Sequence, residues 1–193
     1  MKTPIVLIGG GGHCHSVIDV IESGNSFSIA GIIDKKEKVG QFVLGYKVIG
    51  TDEDLVLIIK EFRHFHISMG FVGKLSNRVK LFELLKTFDV DLPVIIASTA
   101  YVSKYSTIEM GTIIMHHAFV NANARIGKNC IINSKALIEH DAIIESHCHI
   151  ATGSIINGGV HVGEESFIGS NAVTKQDISI PSRSFIKANA IVK

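Results

Sequence analysis

An isoleucine or valine occurs at every sixth position from residue 96 to residue 168. These positions are Ile96, Val102, Ile108, Ile114, Val120, Ile126, Ile132, Ile138, Ile144, Ile150, Ile156, Val162 and Ile168. The fourth residue after each of them is small or β-branched: Ala100, Ser106, Thr112, Ala118, Ala124, Cys130, Ala136, Ala142, Cys148, Ser154, Val160, Ser166 and Ala172. A period of six fits neither an α-helix, which repeats at 3.6 residues, nor an amphipathic strand, which repeats at two. It is typical of a hexapeptide β-helix.

This period predicts a triangular coil of about 18 residues, because each of three flat faces takes one repeat. Each aliphatic residue would fill the interior from one face, and each small residue would fit beside a corner. Stacked coils would bury a continuous aliphatic column and pair every strand with the coils above and below. The repeat spans residues 96–172, which is enough for roughly four such coils. A sandwich of antiparallel strands is a poor alternative, because its turns do not keep one spacing over so many units.

Residues 1–92 show a different pattern, in which short apolar runs alternate with helical stripes. We predict strands and helices in alternation at residues 4–10, 15–23, 27–34, 51–62, 66–72 and 77–88. This order is typical of a small parallel α/β sheet with a crevice at the carboxyl ends of its strands. Pro93 interrupts local structure just before the repeat. We therefore expect an α/β domain at 1–92 and a β-helical domain with a C-terminal closing segment at 93–193.

Composition and charge exclude several classes of partner. The 193 residues include 19 Lys and Arg against 18 Asp and Glu, a net charge of +1 that gives no electrostatic case for nucleic acid. No apolar stretch approaches the roughly 20 residues of a membrane span, and the N-terminal run is too short for a secretory signal. The cysteines Cys14, Cys130 and Cys148 form no CxxC pair, which indicates reduced thiols and a cytoplasmic location.

The glycine-rich stretch IVLIGGGGHCHSVIDVI, residues 5–21, joins the first predicted strand to the first predicted helix. A GxGxxG dinucleotide fingerprint would need a glycine at residue 14 or 15, where Cys14 and His15 stand, so NAD is not expected. Open N–H groups at a helix N-terminus suit an anion such as phosphate. A tight turn without a ligand is the alternative. Gly73 lies at the end of another predicted strand.

His140 is the strongest candidate for a catalytic side chain. It lies two residues after the interior Ile138, so it should point outward near a corner, and Glu139 and Asp141 flank it. A histidine oriented by a carboxylate can act as a general base. Gly158 follows 18 residues later and should stack over His140, where its N–H could stabilise an oxyanion. A surface imidazole without catalytic function is the alternative.

Two other uses of these side chains are less well supported. The β-helix carbonic anhydrases have a similar scaffold and bind zinc through three histidines, two of them five residues apart. No pair among the ten histidines here has that spacing, so no metal site is expected. Cys148 occupies a small inward position of the repeat, which argues against covalent catalysis through its thiol.

The repeat resembles the left-handed β-helix acyltransferases of the hexapeptide-repeat family. Glycine follows the aliphatic residue in RIGKN, HVGEE and FIGSN, as in the motif of that family. The resemblance implies a left-handed coil. It also implies a homotrimer that binds acetyl-CoA in the cleft between neighbouring β-helices.

Over nearly its whole length the chain is similar to the bacterial sugar acetyltransferases, on the strength of GGGGH, IEHDAII and SHCHIATGSIINGG. That family includes sialic acid O-acetyltransferases and N-acetyltransferases acting on nucleotide-linked 4-amino-4,6-dideoxy sugars, as in bacillosamine synthesis. The resemblance implies a cytoplasmic, acetyl-CoA-dependent N-acetyltransferase of cell-surface polysaccharide biosynthesis that needs no metal. O-acetylation of sialic acid or a related nonulosonic acid is one alternative, and a non-catalytic scaffold that binds a sugar nucleotide is another.

The same resemblance implies roles for individual residues. The catalytic base falls on His140 and its polarising carboxylate on Asp141, where the bacillosamine enzymes have Glu. Acetyl-CoA contacts fall on His149, Gly158 and Gly159. Together with Gly73, the predicted substrate-binding residues are Gly10, Gly11, Gly12, His13, Asp34, Lys35 and Asn133. The family often ends in Gly-x-Pro-Ala-Lys, whereas this chain ends in SFIKANAIVK, which puts CoA contacts of residues 185–193 in doubt.

Overall fold

A computed structural model describes residues 2–72 and 76–193 of the chain, which form two compact units. The first unit contains the residues up to Gly70 and the segment Ser76–Pro93. The second contains Phe71, Val72 and the segment Val94–Lys193. Gly73, predicted above as a substrate-binding residue, lies outside the described residues.

The first unit is a five-stranded sheet with helices. Its strands are β1 (Thr3–Ile8), β2 (Phe27–Ile33), β3 (Phe42–Val43), β4 (Tyr46–Gly50) and β5 (His64–Ile67). Its α-helices are α1 (Gly12–Ser23), α2 (Leu55–Ile58) and α3 (Ser76–Lys86), and 3-10 turns cover Lys36–Lys38 and Asp52–Asp54. The strand order is β3-β4-β2-β1-β5, with β3 antiparallel to β4 and the other pairs parallel. The predicted α/β unit with a short parallel sheet is confirmed.

Some elements of this unit differ from the prediction. The β3–β4 hairpin was not predicted, because its strands are too short to show an alternating pattern around the left-handed turn at Leu44 and Gly45. The strand predicted at residues 66–72 ends at Ile67 instead. There the guanidinium of Arg78 donates to the carbonyl oxygens of Ile67 and Met69, at 2.6 and 2.7 Å, which takes those carbonyls away from strand pairing.

A neutral histidine is buried in the first unit. His66 of β5 pairs with Leu7 of β1 and has no exposed surface. Within the part of the chain that the structure describes, neither ring nitrogen has a hydrogen-bond partner. Burial lowers the pKa of His66 well below 6.5, and the nearby charges of Arg78 and His13 lower it further. The folded protein therefore holds this imidazole in its neutral form.

This histidine should make the fold sensitive to acid. Only the unfolded chain protonates His66 readily, so its contribution to the free energy of unfolding is constant above pH 6.5 and falls below it. The loss should approach about 1.4 kcal/mol per pH unit. Urea denaturation of His66→Leu should show a shallower decline below pH 6.5 than the wild type, whereas the exposed His15→Leu control should not. Identical pH profiles for His66→Leu and the wild type would contradict this account.

The second unit is built from strands of two residues each. They are β6 (Ile95–Ile96), β7 (Tyr101–Val102), β8 (Thr107–Ile108), β9 (Ile113–Ile114), β10 (Phe119–Val120), β11 (Arg125–Ile126), β12 (Ile131–Ile132), β13 (Leu137–Ile138), β14 (Ile143–Ile144), β15 (His149–Ile150), β16 (Ile155–Ile156), β17 (His161–Val162), β18 (Phe167–Ile168), β19 (Val173–Thr174), β20 (Ser179–Ile180), β21 (Phe185–Ile186) and β22 (Ile191–Val192).

These strands form three parallel sheets, with orders β22-β19-β16-β13-β10-β7, β20-β17-β14-β11-β8 and β21-β18-β15-β12-β9-β6. We call them sheets A, B and C. Paired residues are 18 positions apart, as in Phe119 with Leu137 and Leu137 with Ile155. One coil therefore takes 18 residues and contributes one strand to each sheet. The β-helix that the six-residue period predicts is confirmed.

The second residue of each strand fills the interior of the coil. Val120, Ile138 and Ile156 have no exposed surface, and the small Ala136 that precedes a strand is also fully buried. The aliphatic column is incomplete at its first coil, where Ile96 is 42% exposed. Burial of these columns and the ladder of hydrogen bonds between coils hold the unit together.

The β-helix continues beyond the segment predicted for it. The four coils expected for residues 96–172 are present, and strands β19–β22 extend the coils to Val192, through the predicted closing segment. The pattern of aliphatic residues at every sixth position does not reveal this extension, because position 174 is a threonine. Thr174 takes the inward position of β19 and is buried although it is polar. Its hydroxyl accepts a hydrogen bond from the N–H of Asn157 at 2.9 Å, which satisfies the buried polar group.

Many corners between sheets use a left-handed residue. Asn123, Asn129, Asp141 and Asn171 have φ between 54° and 60°. Asparagine and aspartate tolerate this conformation better than most residues. These corners thus carry short polar side chains, and those of Asn123 and Asp141, which are 18 residues apart, meet between adjacent coils.

Candidate active site

His140 and Asp141 form an ion-pair geometry at the corner between β13 and β14. The His140 Nδ1 lies 2.8 Å from the Asp141 Oδ2, and the two side chains are 55% and 54% exposed. The left-handed backbone at Asp141, with φ of 60°, turns the carboxylate toward the preceding imidazole. Aspartate is therefore long enough to make the contact here. The other ring nitrogen, Nε2, makes no hydrogen bond within the described residues and is open to a ligand.

Two asparagines of the preceding coil hold the carboxylates on either side of His140. The Asn123 side-chain amide donates to Asp141 Oδ1 at 2.6 Å, and that of Asn121 donates to Glu139 Oε2 at 2.6 Å. Each asparagine lies 18 residues before its carboxylate. We did not predict these two residues as part of the site, although the same 18-residue spacing that indicated Gly158 also reveals them.

The hydrogen bonds set the charges of the pair. The bond to Asp141 raises the pKa of His140, and the negative charges of Asp141, Glu139 and Asp177 add to the effect. The bond from Asn123 lowers the pKa of Asp141, and the bond to His140 lowers it further. Asp141 therefore stays ionised and fixes Nδ1 as the protonated nitrogen, which leaves the Nε2 lone pair as the basic site.

Gly158 lies over the imidazole, as the 18-residue spacing predicts. A Cβ atom at Gly158 would lie 2.7 Å from Cε1 and 2.8 Å from Nε2 of His140. Only glycine leaves room for the ring in this position. The Gly158 N–H makes no hydrogen bond within the described residues, whereas the Gly159 N–H donates to the His140 carbonyl oxygen at 3.1 Å. Gly159 has φ of +67° and faces Asp177 closely.

His149 and Asn133 belong to a separate cluster on sheet C. The Asn133 amide oxygen accepts the Ser134 N–H at 2.8 Å, so its NH₂ group faces His149 Nε2 at 3.1 Å and donates to it. The opposite nitrogen, Nδ1, donates to the Phe71 carbonyl oxygen at 2.8 Å. The ring also packs edge-on against Phe71 and Phe167, at 5.3 and 5.2 Å between centroids. Sequence reasoning did not connect Phe71 to this histidine, because no repeat links them.

The contacts in this cluster limit the access of a ligand to the ring nitrogens of His149. The side chain is only 6% exposed, and each ring nitrogen already has a partner within the chain. The ring therefore has no open nitrogen to offer a ligand in this arrangement. It positions Phe71 and Asn133 relative to the β-helix.

Asp34 ties the glycine-rich loop to the end of β2. Its Oδ2 accepts the Gly10 N–H and the Lys38 ammonium, both at 2.8 Å, and its Oδ1 accepts the Lys35 N–H at 2.7 Å. Burial alone would raise the pKa of Asp34, but the hydrogen bonds from Lys38, Lys35 and Gly10 outweigh it and lower the pKa. Asp34 is therefore an ionised clamp for the loop, and its predicted contact with a substrate stays a prediction.

No neighbouring group among the described residues covers the N-terminal end of α1 at Gly11 and Gly12. Gly11 is the N-cap without a side-chain cap, and a Cβ atom at Gly11 or Gly12 would meet nothing within 4 Å. His13 packs beside Gly70, where a Cβ atom would lie 3.1 Å from the His13 Cβ. The first N–H groups of a helix lack intrahelical acceptors. This arrangement is compatible with the anion site predicted for the loop.

A cavity of about 690 Å³ opens at the carboxyl ends of β1, β2 and β4. Gly9 of the glycine-rich loop and the predicted residues Asp34 and Lys35 line it. Asn77 and Lys80 of α3 also line it, and sequence reasoning did not predict them because the α3 pattern indicates only which residues face a core.

Neither metal ligation nor thiol chemistry is evident in residues 2–72 and 76–193. No group of three or more His, Cys, Asp or Glu side chains there is arranged to hold a metal ion. The Cys130 thiol and burial raise the pKa of Cys148, which keeps that thiol protonated and unreactive. None of the helices described is long and apolar enough to span a membrane.

Comparison with known proteins gives consistent matches to both units. Residues 4–85 match the PglD N-terminal domain family. The acetyltransferase domain of PglB from Neisseria gonorrhoeae FA1090 is 28% identical, with a TM-score of 0.90 over 100% of this chain and 92% of that chain. A perosamine N-acetyltransferase variant from Caulobacter crescentus, in complex with CoA and GDP-perosamine, is also 28% identical, with a TM-score of 0.91 over 100% and 90% of the chains.

Two further comparisons complete this picture. WeeI from Acinetobacter baumannii AYE shares the fold at 20% identity, with a TM-score of 0.71 over 100% of this chain and 97% of that chain. No curated protein sequence matches the chain.

These matches define the class of the protein as an acetyltransferase built on a left-handed β-helix. More narrowly, residues 4–85 match the PglD N-terminal domain family, and the whole chain is similar to bacterial sugar N-acetyltransferases of the hexapeptide-repeat type. The resemblance inferred from the sequence is confirmed.

The contact between Asp141 and His140 predicts a measurable shift. Replacement by Asp141→Asn removes the negative acceptor that stabilises the imidazolium, so the pKa of His140 should fall. NMR titration of the histidine ring signals measures it directly. Asp177→Asn, which removes only a more distant charge, should lower the pKa by less. An unchanged His140 pKa in Asp141→Asn would contradict the geometry.

Proposed function

We propose that the protein transfers the acetyl group of acetyl-CoA to the amine of a nucleotide-linked 4-amino-4,6-dideoxy sugar. The observation that carries this proposal is the oriented His140–Asp141 pair, with an open Nε2, beneath Gly158. The comparisons add support, because the PglB acetyltransferase domain has been solved with acetyl coenzyme A and the perosamine N-acetyltransferase with GDP-perosamine.

Transfer is direct in this proposal. The His140 Nε2 removes a proton from the sugar amine as the nitrogen attacks the thioester carbonyl, and Asp141 stabilises the imidazolium that forms. The Gly158 N–H donates to the oxyanion of the tetrahedral intermediate. The C–S bond then breaks, the amide is complete, and the CoA thiolate takes the proton from His140. No covalent acyl-enzyme is required, consistent with the buried, protonated Cys148 thiol.

We infer that three copies of the chain assemble with their active sites at subunit boundaries. The outward residues of sheet A form an apolar row: Tyr101, Phe119, Leu137, Ile155, Val173 and Ile191. Tyr101 is 55% and Ile191 74% exposed, and an apolar row of this length indicates a protein interface. His140 lies at the corner where sheet A ends, so a partner covering the row would lie beside the catalytic pair.

The other predicted site residues take supporting roles in this proposal. In the first unit, Gly10–His13 and Lys35 border the nucleotide part of the substrate, and Asp34 holds the loop in place. In the second unit, Gly158 and Gly159 line the acetyl-CoA site, and Asn133 and His149 shape its surroundings through Phe71 rather than through an open nitrogen. We place the reaction in the cytoplasm, which keeps the three buried cysteines reduced, and in polysaccharide biosynthesis.

The decisive experiment measures thiol release from acetyl-CoA with several acceptors. These are UDP-, dTDP- and GDP-linked 4-amino-4,6-dideoxy sugars and free sialic acid. We expect turnover with one amino-sugar nucleotide and a loss of kcat by about 100-fold or more in His140→Ala. His161→Ala is a matched control, because His161 Nε2 lies 2.8 Å from Glu145 Oε1 in a second exposed His–carboxylate pair, and it should retain activity.

The other outcomes separate the alternatives. Turnover with sialic acid alone would favour O-acetylation and contradict the proposed acceptor. Full activity of His140→Ala would contradict the proposed base. Binding of a sugar nucleotide without any acetyl transfer would favour a non-catalytic scaffold.

A further inference from the structure

Asn123 is connected to His140 through the carboxylate of Asp141. The Asn123 side-chain amide donates to Asp141 Oδ1 at 2.6 Å, and Asp141 Oδ2 lies 2.8 Å from His140 Nδ1. An ionised carboxylate only accepts hydrogen bonds, so the NH₂ group of Asn123 is the donor. Each oxygen of Asp141 therefore has one side-chain partner, and the three residues form a continuous chain of hydrogen bonds.

The stacking of coils brings Asn123 to Asp141. Both residues follow strands of sheet A at corners with left-handed φ, of 59° and 60°. The Asp141 N–H donates to the Ala122 carbonyl oxygen at 3.2 Å, which fixes the backbones of the two corners against each other. At another corner, Asn129 and His147 are also 18 residues apart, with Nδ2 and Nδ1 separated by 3.0 Å. Contact between stacked left-handed residues therefore recurs in this β-helix.

A nearby cation can draw the Asp141 carboxylate away from His140. The Asp141 side chain is half exposed, so the surrounding protein does not fix its rotation. The positive charge of Arg125, on β11, acts on Asp141 and lowers its pKa. Among the described residues, the Arg125 guanidinium has no ion-pair partner. The bond from Asn123 opposes rotation toward Arg125, because it holds Oδ1 in place while Oδ2 faces His140.

The orientation of Asp141 decides which nitrogen of His140 carries the proton. A neutral imidazole has a proton on one ring nitrogen and a lone pair on the other. An acceptor held at Nδ1 favours the tautomer with the proton at Nδ1 and the lone pair at Nε2. If the carboxylate turned away, part of the protein would carry the proton at Nε2. That fraction could not accept a proton from a substrate at this nitrogen.

We propose that Asn123 is a positioning residue for acetyl transfer, which holds Asp141 so that His140 stays in the tautomer with a basic Nε2. Asn123 contacts neither acetyl-CoA nor the sugar in this proposal and acts through Asp141 alone. The inference rests on the proposed function for its effect on the rate. Its effect on the imidazole requires no substrate.

NMR of the full chain with isotope-labelled histidine tests the tautomer directly. Proton–nitrogen correlation spectra recorded above the pKa of His140 distinguish a proton at Nδ1 from a proton at Nε2. We expect the Nδ1 form in the wild type and a gain of the Nε2 form in Asn123→Gly, because glycine keeps the left-handed φ and removes the amide. With acetyl-CoA and the accepted sugar nucleotide, kcat of this variant should fall by about tenfold.

Two controls separate this role from a structural one. Asn171→Gly makes the same change at a left-handed corner whose side chain forms no hydrogen bond within the described residues, and it should leave the tautomer and kcat unchanged. In an Asp141→Asn background, Asn123→Gly should lower kcat by less than about twofold further, because Asn123 acts only through that carboxylate. The melting temperature of every variant shows whether the fold is intact.

Failure of this inference differs from failure of the proposed function. An unchanged tautomer in Asn123→Gly would overturn the positioning role and leave acetyl transfer by His140 intact. Losses of kcat in Asn123→Gly and Asp141→Asn that multiply in the double variant would also overturn it, because the two residues would then act independently. A shifted tautomer with a wild-type kcat would instead overturn the assignment of His140 Nε2 as the base.

Discussion

The 18-residue register between coils is the constraint on which the proposed catalytic corner depends. Aliphatic residues at every sixth position fill the interior, and hydrogen bonds pair each strand with the strand 18 residues away. Once that register is set, residues 18 positions apart lie one above the other. Asn123 then reaches Asp141, and Gly158 lies over His140. The chemistry of the corner is therefore a consequence of the same periodicity that builds the core.

The two histidines assigned to the site illustrate how backbone position decides function. His140 lies at a corner, where a left-handed aspartate orients Nδ1 and the Nε2 lone pair faces outward. His149 lies within a strand of sheet C, where Asn133 and the Phe71 carbonyl occupy both ring nitrogens. The first arrangement can exchange a proton with a substrate. In the second, both ring nitrogens are engaged by neighbouring groups of the chain.

Much of the β-helix and of its corner could be predicted, because a period repeats the same physical signal many times. The coil length, the outward position of His140 and the stacking of Gly158 all follow from multiples of six. Features without a period could not be found in this way. The link between His149 and Phe71 joins residues 78 positions apart, and the cavity beside α3 depends on packing between separate elements. The six-residue pattern is also interrupted at position 174, where a threonine occupies an inward position that is aliphatic in the preceding repeats.

The most direct test of the central claim is the steady-state kinetics of Gly158→Ala. Gly158 does not have a left-handed φ, so an alanine should be tolerated by the backbone, but its Cβ would lie 2.7 Å from the imidazole of His140. The account predicts a loss of kcat by about 100-fold, with a melting temperature close to that of the wild type. Gly24→Ala, whose Cβ would make an ordinary 3.6 Å contact, serves as the control. A wild-type kcat in Gly158→Ala would contradict the claim that coil stacking forms the active site.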